Sequence, residues 1–211
     1  MIQSKTSTMA GSLLAGAGLA LSLTLTLAAA APAHAEKMGA AEVRALIDKW
    51  PMESRKAAMA TIEKYGPPQE ATATTLMWRG NGPWKFTRID INETRHDFPA
   101  PHIDVMEQAI DYRVSPEAAD ELARYDGSVY VDRTQGMLSA RCDKEGANFL
   151  ALNLANDIIT KRRDVADARQ YYARAIKAFM STGQMDPYMQ GLRFPVAKGG
   201  QGDPDRPAPM S

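Results

Sequence analysis

The chain has 211 residues, 45% of them apolar, and its 25 Lys and Arg residues balance 25 Asp and Glu residues. This composition excludes a disordered polyelectrolyte, and a single cysteine excludes a small disulfide-bonded domain. The balanced charge also argues against a nucleic-acid partner, which needs a concentrated basic face.

The N-terminus has the pattern of a secretory signal peptide. Lys5 precedes an uncharged stretch over 11–31 that is rich in Ala and Leu, and the small-x-small triplet Ala33-His34-Ala35 follows. We expect cleavage after Ala35 and export to the periplasm. If the segment stayed uncleaved, its length would instead suit a membrane anchor, which is the only membrane contact we consider.

The segment after the signal predicts two helices, because apolar residues recur at helical spacing over 43–50 and 52–65. A β-branched run over 72–78 and an alternating run over 84–91 flank Asn81-Gly82, the strongest short signal for a β-hairpin. We interpret 92–102 as a long connection.

The second half of the chain continues with a strand in the later part of 103–114 and with a short helix that opens at Ser115-Pro116. Two further strands are predicted around 129–131 and 138–142. Two helices follow, over 148–159, where Asp143 is the expected cap, and after Asp164.

These elements predict an α+β fold in which an N-terminal helix pair and a C-terminal helix pair pack on an antiparallel sheet of about five strands. We divide the chain into a signal peptide (1–35), a single α+β domain (36–196) and a disordered tail (197–211), which is rich in Gly and Pro.

Several short stretches resemble a family of exported proteins of Gram-negative bacteria with no assigned function. They include Lys64-Tyr65-Gly66-Pro67-Pro68, Gly82-Pro83-Trp84-Lys85, His96-Asp97-Phe98-Pro99, Tyr125-Asp126-Gly127-Ser128 and Arg141-Cys142-Asp143-Lys144-Glu145. The resemblance implies a periplasmic address and no activity.

The connection over 92–104 contains the candidate metal or catalytic residues. His96, Asp97, His102 and Asp104 combine imidazole and carboxylate groups, which suit a divalent metal or an acid–base pair. Their spacing matches no established zinc motif, so we keep the alternative that they form hydrogen bonds within an ordered loop.

Cys142 is a further candidate, since basic neighbours and a helix start would favour a reactive thiolate. Strand alternation instead favours a buried, inert side chain. Asn148, Asn153 and Asn156 lie in an otherwise apolar helix, where amides either bind backbone groups or line a ligand pocket.

The leading functional hypothesis is a non-enzymatic periplasmic domain that binds an unidentified protein or small ligand. The alternative is a metal-binding protein or enzyme that uses His96, Asp97, His102 and Asp104, with Cys142 as a further candidate. Whether any catalysis occurs stays open. No cofactor-binding motif is present in the sequence, and a divalent metal is the one cofactor we keep open.

Overall fold

A computed structural model describes residues 38–210. The predicted signal peptide lies outside these residues. The elements in chain order are α1 (Ala40–Ile47), α2 (Met52–Tyr65), β1 (Glu70–Ala71), β2 (Thr75–Arg79), β3 (Phe86–His96), β4 (His102–Asp111), α3 (Pro116–Tyr125), β5 (Val129–Asp132), β6 (Met137–Cys142), α4 (Glu145–Ile159), α5 (Val165–Thr182) and a 3₁₀ turn (Pro187–Met189).

The strands form one antiparallel sheet with the order β1-β2-β3-β4-β6-β5. The predicted α+β class and antiparallel sheet are therefore confirmed. The described residues contain six strands rather than about five, because Glu70 and Ala71 add a two-residue edge strand beside β2. The predicted Asn81-Gly82 hairpin joins β2 to β3, and Gly80 and Gly82 both have positive φ angles there.

The interpretation of 92–102 as a long connection is wrong. β3 runs on to His96 and β4 begins at His102, so only 97–101 connects them. The alternation of β3 was hard to follow because the register with β4 shifts between Ile89 and Thr94. Beyond this irregularity the strands pair again, with His96 directly opposite His102.

The helices pack on one face of the sheet. Leu76, Ile89, Met106 and Cys142 occupy one cross-strand row and therefore point to the same face. α1 and α2 bury their apolar side chains against the β2–β4 half of this face. α3 and α4 do so against the β4–β6 half, and α5 packs on α3 and α4. The opposite face carries Arg88 and Glu107, which form an ion pair at 2.8 Å.

The predicted central helix is α4, which is buried along most of its length. It begins at Glu145 rather than Asn148, and its cap residue is Lys144, so the prediction of an Asp143 cap is wrong. No helix within 38–210 is both long and apolar enough to cross a membrane.

Part of the segment predicted to be disordered contacts the domain. Ala197 forms a β-bridge with Asp111, and the Asp203 amide donates to the Arg133 carbonyl. Arg133 also pairs with the carboxylates of Asp203 and Asp205. Disorder of this tail in solution stays a prediction. It can be tested by removing the contacts with Asp111 and Arg133.

Candidate metal site

Two histidines and a buried aspartate meet where β3 ends and β4 begins. His96 and His102 are direct cross-strand partners, and their ring centroids lie 5.0 Å apart. Asp104 follows His102 by two residues, so both side chains leave the same face of β4. We call His96, His102 and Asp104 the HHD cluster.

Asp104 is the centre of the cluster and only 1% exposed. The Ser128 hydroxyl donates a short hydrogen bond to Asp104 Oδ2. Asp104 Oδ1, by contrast, is buried and accepts no hydrogen bond unless His102 Nε2, 3.1 Å away, carries a hydrogen. A buried, unpaired carboxylate oxygen is costly, so this atom calls for either a proton on His102 or a metal ion.

In the neutral ring of His102, the nitrogen that faces this oxygen carries no hydrogen. Its Nδ1 lies 2.8 Å from the carbonyl oxygen of Ala100, which can only accept, so Nδ1 carries the hydrogen. Nε2 then has a lone pair, and it lies 3.1 Å from Asp104 Oδ1. Two acceptors at this distance need a positive charge between them.

The pKa of His102 also indicates that a positive charge is favoured between His102 and Asp104. Burial lowers the pKa, but the adjacent Asp104 carboxylate and Ala100 carbonyl favour the protonated ring and outweigh it, so the net pKa is raised. The metal-free site therefore attracts positive charge.

His96 has a similar arrangement on the other side of Asp104. Its Nδ1 lies 3.5 Å from Asp104 Oδ2, and its Nε2 lies 3.6 Å from Asp126 Oδ1. If Nε2 carries the hydrogen and faces Asp126, Nδ1 presents its lone pair to Asp104. The outer nitrogen of His102 thus has a hydrogen-bond acceptor, and a carboxylate lies near the outer nitrogen of His96; outer acceptors of this kind orient imidazoles in metal sites.

Asp126 lies in the short connection between α3 and β5 and is buried. Burial raises its pKa, and the hydrogen bond from the Ser128 amide and the charge of His96 offset this only in part. The same connection therefore supplies Asp126 behind His96 and Ser128 beside Asp104.

The HHD cluster can supply one ligand atom from each side chain, and these atoms all lie within 4.8 Å of one another. Two imidazole nitrogens and a carboxylate oxygen are a common donor set for zinc and other divalent transition metals. A tetrahedral ion would keep one position open for water or another ligand.

The structure separates Asp97 from the other residues of this prediction. Its side chain is 65% exposed and pairs with Arg95 at 2.9 Å. The proline-containing turn over 97–101 points this carboxylate outward, whereas strand alternation directs Asp104 inward.

Cys142 is buried near the HHD cluster, at the end of β6. Burial raises the pKa of its thiol well above the usual value, and the carboxylates of Asp143 and Asp104 raise it further. These surroundings favour the interpretation of Cys142 as an uncharged, inert thiol.

The three asparagines of α4 form hydrogen bonds within the protein. Asn148 donates to the Met106 carbonyl and to Gln108, and Asn156 accepts from the Tyr112 hydroxyl. Asn153 donates to the carbonyls of Tyr188 and Gly191 and accepts from the Arg193 amide. These contacts favour the structural interpretation, in which the asparagines fix neighbouring segments against the helix.

Sequence reasoning missed Asp126 and Ser128. We considered them only within the stretch Tyr125-Asp126-Gly127-Ser128, and the chain separation of about 30 residues from His96 gave no sign that they meet. The only available signal was the presence of these two polar residues directly before the strand predicted around 129–131.

No protein-family profile, curated protein or solved structure matches the chain. The resemblance to exported proteins of Gram-negative bacteria therefore stays a prediction. The functional argument depends on the site alone.

Proposed function

We propose that this protein binds a divalent transition metal ion, with Zn²⁺ as the reference ion, through His96, His102 and Asp104. One observation carries the proposal: the buried oxygen Asp104 Oδ1 lacks a hydrogen-bond partner, and a bare imidazole nitrogen faces it at 3.1 Å. A cation between these atoms would satisfy both of them.

The spacing of the donor atoms supports the proposal. Ligand atoms about 2.0–2.1 Å from a tetrahedral ion are about 3.3 Å apart. His102 Nε2 lies 3.1 Å from Asp104 Oδ1, close to this value, and His96 Nδ1 lies 3.5 Å from the other oxygen, Asp104 Oδ2. The three ligand atoms lie within 4.8 Å of one another, so side-chain rotations must bring them closer together to form the site.

The surroundings of the donors support it as well. The Ala100 carbonyl accepts from the outer nitrogen of His102, Asp126 lies 3.6 Å from the outer nitrogen of His96, and Ser128 donates to the second oxygen of Asp104. Such outer contacts fix ring orientation and strengthen metal binding. The competing account is that a proton on His102 neutralises Asp104 and that the cluster is purely structural.

We further propose that the protein is exported to the periplasm and acts there as a non-enzymatic binding protein. The support for export is the signal pattern over 1–35 and the resemblance to exported proteins. The support for a binding role is the set of metal donors in the HHD cluster, whose ligand atoms lie within 4.8 Å of one another.

The test is a Zn²⁺ titration of the purified protein in competition with a chromophoric chelator. We expect one ion per chain for the wild type and for Asp97→Asn, an exposed carboxylate of the same hairpin that serves as the matched control. Asp104→Asn should reduce the affinity at least 100-fold. Equal affinities of the wild type and Asp104→Asn would show that the metal binds elsewhere.

A further inference from the structure

A cavity beside the HHD cluster suggests what the metal ion would bind. The cavity has a volume of about 230 Å³, and His102 forms part of its wall. It is open between the 97–101 turn, the start of α4 and the second half of α5. One metal ligand of the proposed site is therefore also a wall of a space that a small molecule could enter.

The rest of the wall is mainly apolar. Tyr172, Ile176, Phe179 and Met180 line it from α5, and Pro99, Ala100 and Pro101 line it from the turn. The uncharged thiol of Cys142 contributes to the same surface. Such a surface favours the apolar part of a ligand, because contact removes both from water.

The wall also contains charged residues. Lys144 and Asp143 line the cavity and pair with each other, so the proposed metal would add a second positive charge beside Lys144. A divalent ion bound by two neutral imidazoles and one carboxylate keeps a net positive charge, and its fourth position exchanges water for other donors. An anionic group entering through the cavity would complement that charge.

The size of the cavity limits the ligand. Pockets for drug-sized molecules enclose roughly 300–1,000 Å³, and this cavity is smaller. A shallower groove shares Pro99, Ala100, Ile176 and Met180 with it and continues along α5. A short chain therefore fits inside, and a longer chain could extend along the groove.

We propose that this cavity binds small amphipathic carboxylates, whose head group replaces water on the metal ion and whose apolar chain lies against α5. The inference depends on the proposed metal site, because the head group needs the ion. Short-chain carboxylates with about four to six carbons are the ligands that match the volume and the apolar wall.

The experiment uses protein loaded with Co²⁺, whose visible absorption changes when its coordination changes. Acetate, butanoate and hexanoate are titrated in turn, with 1-hexanol as the ligand that lacks the anionic head. We expect each added methylene to strengthen binding about threefold to fourfold. Hexanoate should shift the Co²⁺ spectrum, and 1-hexanol should leave it unchanged.

A variant at the cavity mouth tests the location. Met180 lines the cavity and is 72% exposed, so Met180→Glu should fold normally while adding a negative charge at the entrance. We expect it to weaken hexanoate binding at least tenfold with unchanged Co²⁺ affinity. Met59→Glu is the matched control, since Met59 is 52% exposed on α2 and does not line the cavity.

The outcomes separate the two proposals. Failure of the protein to bind Co²⁺ at the HHD cluster would overturn both of them. Tight Co²⁺ binding with equal affinities for acetate and hexanoate, or with equal effects of Met180→Glu and Met59→Glu, would overturn the carboxylate inference and leave the metal site in place.

Discussion

Asp104 and Glu145 are both carboxylates in the layer between the sheet and the helices, but the protein satisfies them differently. Glu145, the first residue of α4, accepts hydrogen bonds from the Tyr65 hydroxyl at 2.6 Å and from Trp84 Nε1 at 2.7 Å, and Lys64 pairs with its other oxygen. Asp104 has one firm donor, Ser128, and one oxygen without a hydrogen bond.

The pKa shifts at both sites favour the charged forms, but the cations differ. Burial alone would raise the pKa of Glu145, but the hydrogen bonds from Lys64, Tyr65 and Trp84 outweigh it, and the pKa is lowered. At the HHD cluster the Asp104 carboxylate helps to raise the pKa of His102, so the positive charge beside Asp104 is a proton on a ring nitrogen. A permanent cation, Lys64, pairs with Glu145, whereas a metal ion can replace the proton beside Asp104. We infer that Glu145 is structural and that Asp104 is a ligand.

The largest expected effect is the loss of stability when Glu145 is replaced by alanine. Glu145→Ala would leave the Trp84 and Tyr65 donors without their acceptor, and each unsatisfied buried donor costs about 1–3 kcal/mol. We expect a loss of about 3 kcal/mol in the free energy of unfolding, measured by urea denaturation with chelator present. Glu63→Ala, an exposed glutamate of α2, should change it by less than about 0.5 kcal/mol. A similar result for both variants would remove Glu145 as a structural anchor.

In contrast to Glu145→Ala, Asp104→Asn should affect stability only when Zn²⁺ is present. Without metal, the asparagine amide can donate to the bare nitrogen of His102, so we expect the free energy of unfolding to change by less than about 1 kcal/mol. At a Zn²⁺ concentration 100 times the wild-type dissociation constant, the wild type should gain about 2.7 kcal/mol, and the variant should gain at most about 0.4 kcal/mol. The measurement is denaturation with and without Zn²⁺. A large loss of stability without metal would indicate that Asp104 is structural like Glu145.

A smaller effect is expected from the residue behind His96. Asp126→Asn weakens the acceptor at His96 Nε2 while keeping the side-chain shape, and the loss of such outer contacts typically costs 10–100-fold in metal affinity. We expect about a tenfold loss in the chelator competition. The control is Asp120→Asn, an exposed residue of the preceding helix α3 that pairs with Arg124. If both variants bind Zn²⁺ like the wild type, Asp126 does not orient His96.

The smallest expected effect is the pH dependence of stability that follows from the lowered pKa of Glu145. The stabilisation from its charge is fully present above the unfolded-state pKa of about 4.3 and is lost as the pH falls through the lower folded-state pKa. The stability difference between the wild type and Glu145→Gln should therefore be constant near pH 7 and shrink as the pH falls below about 4. Denaturation at several pH values with chelator present measures it, and a difference that grows on acidification would contradict the assignment.

The sequence predicted the class of fold because its signals were local. Asn81-Gly82 marked the first hairpin, and Ser115-Pro116 marked the start of α3. The strand extension to His96 was missed because the register shift after Ile89 breaks the alternation of apolar residues. The edge strand β1 was missed because a strand of two residues is too short to show an alternation of apolar and polar residues.

The site was predicted only in part for a related reason. His96, His102 and Asp104 are close in sequence, so composition alone identified them, but it could not separate inward Asp104 from outward Asp97. That distinction depends on the position of the turn, which the sequence placed too early. Asp126 and Ser128 arrive from another segment of the chain, and only the sheet topology brings them to the cluster.

The central claim is that Asp104 Oδ1 and the two histidines hold a metal ion, and the most direct measurement is anomalous X-ray diffraction at the zinc edge from crystals grown with Zn²⁺. We predict one strong peak about 2.0–2.2 Å from Asp104 Oδ1, His96 Nδ1 and His102 Nε2. No peak at these atoms, with His102 Nε2 still in direct contact with Asp104, would contradict the claim and show that a proton satisfies the site.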